Sequence, residues 1–362
     1  MSGTQKTRMK DVAALCGVAE STVSHVLNRT KPVSDETREK VEKVLRELNF
    51  HRDADARRLA RGHSNFLGLI ISDIENPFYP GLIKAFESAA LARGFDVLLC
   101  TTNYDSDRTD AAFRKMIENK TPGVAVMTSR VDPKMAKYLS DRGVASVFLD
   151  SGGAGPLKSD IRVDFRKGVS GAVRYLHNLG HRDFALIAGP QNRASHAAYR
   201  ASVENALAEL GLQARIVEGN NDAPSGAAAV QRLLTGQPFP TAILCSNDVT
   251  AISATRELFR CGLRVPADVS VIGADDIPFA SLTQPPLTTV RIPREQLGRR
   301  ALELLDELLK NKGRTGTVDV LETELVIRES TAATVEQPAS AGRSPKAGGE
   351  FKAPAARRTK GA

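Results

Sequence analysis

The 362-residue sequence has no run approaching the roughly 18 consecutive apolar residues that a membrane-spanning helix needs, so no span is expected. Its opening, MSGTQKTRMKDVA, lacks the apolar core of a signal peptide, and the expected location is the cytoplasm. Cysteine is scarce. Cys16, Cys100, Cys245 and Cys261 form no CxxC pair and each sits in an apolar setting, which suits reduced, buried thiols in a reducing compartment. There is no P-loop, no HExxH and no GxSxG, and SGGAGPLKSD lacks GxGxxG spacing and reads as a surface loop. His177 and His181 are four apart, but NLG intervenes at an expected helix end, so metal ligation is not expected. No catalytic residue, metal or cofactor is assigned, and an enzyme is not the expected class.

The charge that is present lies at the ends. Residues 1–63 hold 13 Lys+Arg against 9 Asp+Glu, and residues 331–362 hold 6 against 2. The whole chain carries +8, so the long middle is neutral. Small basic ends on a neutral body suggest nucleic acid as a partner.

Residues 9–50 read as three short helices. Val12, Leu15 and Cys16 give the first an apolar stripe, and Gly17 can end it in a left-handed conformation. In the second, ESTVSHVLN, Val23, Val26 and Leu27 would be buried while Glu20, Ser21, Thr22, Ser24, His25 and Asn28 face outward. Ser34 is a candidate N-cap for the third, whose buried face is Val41, Val44, Leu45 and Leu48. Two helices joined at CGVA have the size of a helix-turn-helix, whose second helix enters the DNA major groove. An ordinary three-helix bundle with a polar face is the alternative reading of the pattern.

Residues 51–63, HRDADARRLARGH, are Arg-rich and short of core residues, and read as a linker with latent helicity. From residue 66, buried-strand runs (FLGLIIS, FDVLLCT, GVAVMTS, VASVFLD) alternate with amphipathic helices, and after about 164 the alternation repeats (FALIAGP, ARIVEG, TAILCSN, VSVIGAD). That pattern implies βαβ units and two doubly wound parallel sheets. LTTVRIP would cross back to the first lobe, followed by a helix at 294–312 and a strand near 318–328. The expected organisation is 1–50 as the helical head, 51–63 as the linker and 64–330 as a two-lobed α/β domain. Lobe one would take 64–163 and 293–316, and lobe two 164–290 and 317–330. The tail, 331–362, has no Leu or Ile and is expected to be disordered.

Together DVAALCGVAESTVSHVLN, VSDETREKVEKVLRELNF, ARRLARG and IISDIENPFY resemble the LacI/GalR family of bacterial transcription regulators, in order and at the family's spacing over about 8–330. The resemblance implies an all-α helix-turn-helix domain followed by a periplasmic-binding-protein-like effector domain. It implies a homodimer on a pseudo-palindromic operator in double-stranded DNA, acting as a repressor or else as an activator, under a small-molecule effector. Carried over by position, Glu20, Ser21 and His25 would read bases, and Thr22, Ser24 and Asn28 would hold phosphates. In the linker, which matches the family's hinge helix, Arg57 and Arg58 would meet phosphates and Leu59 would wedge into the minor groove. The sequence departs from the family at Ala19 (usually Ser), Arg8 (usually Thr) and Arg52-Asp53 (usually Pro-Asn).

Ligands of paired α/β lobes lie at the carboxyl ends of the strands. The family's pocket would then be built from Phe78 and Tyr79 stacked on the ligand, with Asn103, Asp164, Arg193, Ser195, Asn247 and Asp275 around the rim. Asp248 and Asp276 read instead as caps or salt-bridge partners. Carboxylates, amides and one Arg suit a sugar, and Arg193 admits a sugar acid. A solute-binding protein of a transporter shares the two-lobed fold, but would carry a signal peptide and no helix-turn-helix.

Overall fold

The computed structural model describes residues 9–28, 31–48, 64–128, 132–311 and 315–334. The linker and the tail from residue 335 lie outside the described residues, so the expectations for Arg57, Arg58 and Leu59 and for disorder beyond 334 fall there too. The chain divides into two compact units, 1–62 and 63–362.

The head is three helices: α1 (Met9–Cys16), α2 (Glu20–Asn28) and α3 (Asp35–Glu47). Its small core is Val12, Ala13, Cys16, Val23, Val26 and Val41. Leu15, expected in the stripe of α1, is 62% exposed. The reason is angular: at 100° per residue Ala13 and Cys16 fall on the same side of Val12, while Leu15 falls on the other. Gly17 takes φ +63°, and Val18 N–H donates to the Ala13 carbonyl, closing α1. Ser34 caps α3 by accepting from Thr37 N–H at 3.4 Å.

In the second unit, six strands form each of two sheets. Lobe one contains β1 (Phe66–Ile71), β2 (Asp96–Thr101), β3 (Gly123–Met127), β4 (Ala145–Leu149), β5 (Lys158–Asp164) and β11 (Val318–Glu322), in the order β11-β5-β4-β3-β1-β2. All its pairs are parallel. Lobe two contains β6 (Phe184–Ala188), β7 (Ala214–Glu218), β8 (Ala242–Cys245), β9 (Ser270–Asp275), β10 (Thr288–Arg291) and β12 (Glu324–Val326), in the order β12-β10-β9-β8-β6-β7. Only β10–β12 is antiparallel. The helices on these sheets are α4 (Tyr79–Leu91), α5 (Ser106–Glu118), α6 (Pro133–Ser140), α7 (Arg166–Asn178), α8 (Ala194–Ala208), α9 (Ala223–Leu234), α10 (Asp248–Arg260) and α11 (Arg294–Lys310). Strands β1, β3 and β6 are apolar on both faces because helices cover both sides.

The lobe boundary expected at 317 is displaced. Strand β11 stays in lobe one, pairing with β5 from Val318↔Asp160 to Glu322↔Asp164. The chain returns to lobe two at Thr323, whose N–H and hydroxyl both donate to the Asp164 carbonyl at 3.1 and 3.0 Å. Thus the first and third crossings are bonded to each other. The second crossing runs through Ile292 into α11, which packs on α4 and buries Leu297, Ala301 and Leu305 in the core. An ideal Cβ on Gly298 would sit 2.3 Å from the Leu82 carbonyl oxygen, so these helices approach at a glycine.

The tail also begins later than expected. Ser330 is buried and bonds Val271 O and Thr288 N, Ala332 O meets His181 Nε2 at 3.0 Å, and Thr334 N–H donates to Leu179 O. A truncation after Ser330 would therefore remove hydrogen-bonded residues of lobe two.

Candidate functional site

Two surfaces carry chemistry, one in each unit. On the head, Val23 and Val26 anchor α2 to the core and fix which side faces out. Glu20 and Ser21 are exposed, and Thr22, Ser24 and His25 are half-buried on the same turns. The side chain of Asn28 lies outside the described residues. Ala19 has no hydroxyl to cap α2, and its carbonyl accepts from Thr22 and Val23 N–H.

In the second unit a cavity of about 80 Å³ lies between the carboxyl ends of the two sheets. Five of the eight expected residues line it: Phe78, Tyr79, Arg193, Ser195 and Asp275. Three do not. Asn247 is used as a helix cap: its Oδ1 accepts from Thr250 N–H at 2.9 Å, and its Nδ2 donates to Asn221 O at 3.0 Å. Asp164 sits on the lobe crossing, with both carboxylate oxygens held by Arg166. Asn103 is exposed, and the next residue, Tyr104, enters the cavity instead. Both take positive φ, 48° and 59°, a tight turn that rotates the two side chains apart.

The cavity is richer in rings and in unsatisfied polar atoms than the sequence indicates. Phe165, at the first crossing, meets Tyr199 of α8 edge-on at 5.5 Å, and Phe78 meets Tyr79 edge-on at 5.3 Å. Arg193, from lobe two, lays its guanidinium 3.6 Å from the ring centroid of Tyr104, from lobe one. Among the described residues Asp150 Oδ2 and the Tyr199 hydroxyl are buried without a hydrogen-bond partner. Ser246 donates to Asn221 Oδ1 at 2.6 Å, which turns Asn221 Nδ2 toward His196 Nε2 at 3.3 Å. Burial, aided by Arg193, lowers the His196 pKa to about 4, so its imidazole is neutral at pH 7.

The two carboxyl groups of the cavity are both perturbed. Burial chiefly, with Asp248 adding, pushes Asp275 well above the usual carboxylate range, against the pull of Arg294. Its backbone takes φ 107°, a strained value for a non-glycine residue. Asp150 is pushed up to about 6 by burial, although Val163 N–H donates to its Oδ1 at 3.1 Å. By contrast, Asp248 and Asp276 serve the fold. Asp248 accepts from Thr289 Oγ1 at 2.6 Å and Ile277 N–H at 2.8 Å, and Asp276 is gripped by Arg291 and Arg328.

A stability prediction follows for Asp150. Its folded pKa lies above the unfolded value, so the native state binds the proton more tightly. Stability is then lost as pH rises from about 4 to 6, and the full cost remains above that window. Asp150→Asn cannot ionise and keeps an acceptor for Val163. It should stabilise the ligand-free protein by about 1–3 kcal/mol above pH 6, a gain that fades below pH 4. Thermal melts of both proteins across pH check it, and a pH-independent difference would remove Asp150 as the cause.

A small helical head joined to a two-lobed cleft domain defines a class: DNA-binding regulators that respond to a small molecule. Residues 8–53 match the model for bacterial regulatory proteins of the lacI family, and residues 173–331 match a periplasmic binding protein-like domain. The chain belongs to the LacI family of bacterial transcription regulators, and it is an effector-controlled regulator, not an enzyme. It is 35% identical over 330 residues to the HTH-type transcriptional repressor PurR of Erwinia tasmaniensis, covering 90% of this chain and 96% of that one. The PurR of Vibrio campbellii is 32% identical over 326 residues, covering 89% and 98%. Among solved structures, the Lac repressor dimer bound to operator and the anti-inducer ONPF matches with a TM-score of 0.82 at 29% identity, over 91% of this chain and 100% of that one. A complex of the regulator CelR with cellobiose matches at 0.68 and 29%, over 90% and 99%. No described helix is long and apolar enough to cross a membrane.

Proposed function

We propose that this chain is a cytoplasmic repressor that binds a pseudo-palindromic operator as a homodimer, and that a small sugar or sugar derivative held in the cleft controls that binding. The observation that carries the DNA reading is the face of α2, where Glu20 and Ser21 stand exposed beside His25 while Val23 and Val26 hold the helix by its other side. In this reading Glu20, Ser21 and His25 contact base edges, and Thr22, Ser24 and Asn28 contact phosphates. Arg57, Arg58 and Leu59, outside the described residues, supply the hinge contacts. The repressor sense is supported by the similar PurR and Lac repressors, and the sugar class by the regulator bound to cellobiose. The ring-walled cleft with a carboxyl from each lobe supports a polar ligand there.

The test is selection of operators from random DNA by wild type and by His25→Ala. A contacted base pair contributes about 1–3 kcal/mol of discrimination, so the variant should relax preference at one position in each half-site. An unchanged selected sequence would take His25 out of the code. With the selected operator in hand, Leu59→Ala should reduce both affinity and DNA bending.

A further inference from the structure

We propose that the molecule this cleft takes carries a protonated amine, set over the ring of Tyr104 where the Arg193 guanidinium now sits, in a cavity whose wall also carries the carboxyl groups of Asp150 and Asp275. The inference rests on the reading of the cleft as the effector site and names the chemical class: an amino sugar, or a small amine of similar reach.

The first observation is a cation already in place. Arg193 stacks on Tyr104 at 3.6 Å across the lobes, and pairs with no carboxylate among the described residues. A cation on a tyrosine face is attracted by the ring quadrupole, more strongly when water is excluded. The guanidinium belongs to a half-buried residue just before α8, so it can leave the ring for solvent. Its departure also enlarges a cavity of about 80 Å³, small against the roughly 300–1,000 Å³ of ligand sites.

The second is charge. Once Arg193 leaves, the acidic side chains on the cavity wall are Asp150 and Asp275, and the wall carries no cation among the described residues. Arg162 acts on Asp150 and Arg294 on Asp275, but neither lines the cavity. Arg162 is exposed, and the Arg294 guanidinium donates to the main-chain carbonyls of Asp275 and Asp276. A sugar hydroxyl would give these carboxyl groups a neutral hydrogen bond. An ammonium favours their ionised form, which burial alone disfavours, and gives a charge-assisted bond, roughly twice as strong. A sugar acid would set a negative charge beside two acids that burial already holds back from ionising.

The third is an unmet hydroxyl. Tyr199 is 2% exposed, lines the cavity, and its OH has no partner among the described residues. Together with Asp150 Oδ2 it waits for a ligand with several polar hydrogens, and Ser195, Asn221 and Ser246 continue the polar rim. Amino sugars carry both the ammonium and the hydroxyls.

The experiment is calorimetry and thermal unfolding of the full chain with matched sets at millimolar concentration. One set is glucosamine, glucose and glucuronate, and the other is putrescine, butanediol and succinate. At least one amine should bind and raise the unfolding midpoint while its neutral and acidic counterparts do not. Arg193→Ala, by removing the internal competitor, should tighten the amine. Asp150→Asn and Asp275→Asn should each weaken it about ten- to a hundredfold. A neutral or acidic counterpart that binds as well as its amine overturns the proposal, as does Arg193→Ala abolishing binding or the absence of any amine response. Of these, a neutral or acidic ligand lost in Asp275→Asn leaves the cleft reading standing. A ligand whose affinity ignores Asp150→Asn, Asp275→Asn and Tyr104→Leu alike removes the cleft reading itself.

Discussion

Replacing Phe279 and Leu282 together by Asp should leave the chain monomeric and cost it at least about a thousandfold in operator affinity. Phe279 is 55% exposed and Leu282 is 77% exposed, on and just after the short 3-10 turn Pro278–Ser281. Phe259, on the last turn of α10, is also 77% exposed. Phe259 lines a hollow of about 870 Å³ with Ile252, Val265, Pro266, Pro285 and Leu287, and Thr283 and Gln284, which follow Leu282 in the chain, line it too. Exposed large apolar residues beside an apolar hollow are what an association surface presents. In a two-fold dimer the same patch meets itself, so each new Asp faces a like charge. Exposed positions tolerate such changes within about 0.5 kcal/mol, so the monomer should stay folded. A monomer reaches one half-site only, and the specific complex is typically about 10³–10⁷ tighter than nonspecific binding. Light scattering and fluorescence anisotropy on the selected operator check both claims. A double variant that remains a dimer would move the interface to another face.

Gly298→Leu should lower the thermal midpoint by roughly 5–10 °C, at about 2–4 °C per kcal/mol for a domain of this size. The added Cβ alone would lie 2.3 Å from the Leu82 carbonyl oxygen and 3.1 Å from Phe86 N, backbone atoms that cannot turn aside. Overpacking of this kind costs about 1–3 kcal/mol for small additions and more for a whole side chain. Helix propensity pulls the other way by under about 1 kcal/mol, too little to offset it. Gly298→Ala decides between the two effects by sign. Propensity alone predicts a rise in midpoint and the close approach of α11 to α4 predicts a fall.

The strands at the sheet centres are legible in the sequence because both their faces are buried and the apolar runs are unbroken. The last two strands are less so. TVDVLETELV alternates, with Val318 and Val320 exposed, and nothing in an alternating run tells which sheet edge it joins. In the cleft, sequence indicates where strands end but not how the backbone turns there. That is why Asn103 and Tyr104 exchange places, and why Asn247, a polar strand-end residue like the others, is used to cap a helix. Asp150 ends VASVFLD and shares the strand-end signal, so it was within reach. His196 and Tyr199 follow Ser195 on α8, and only the packed structure brings them to the cavity. The unbonded Asp150 Oδ2 and Tyr199 OH have no trace in a linear sequence at all.

The interleaved path of the chain has a consequence for its synthesis. Lobe one cannot finish its sheet until β11 arrives, and the bond from Thr317 N–H to Ser159 Oγ spans 158 residues. At about 5–20 residues per second, a ribosome needs roughly 8–30 s to make the stretch between them. Through that interval β5 stands at an open edge of a parallel sheet, the kind of edge that pairs with other chains. Lobe two waits as well, for β12. A nascent chain of this protein therefore carries two unfinished sheets until almost its last described residues, and a message cut short late in the reading frame would release both edges at once.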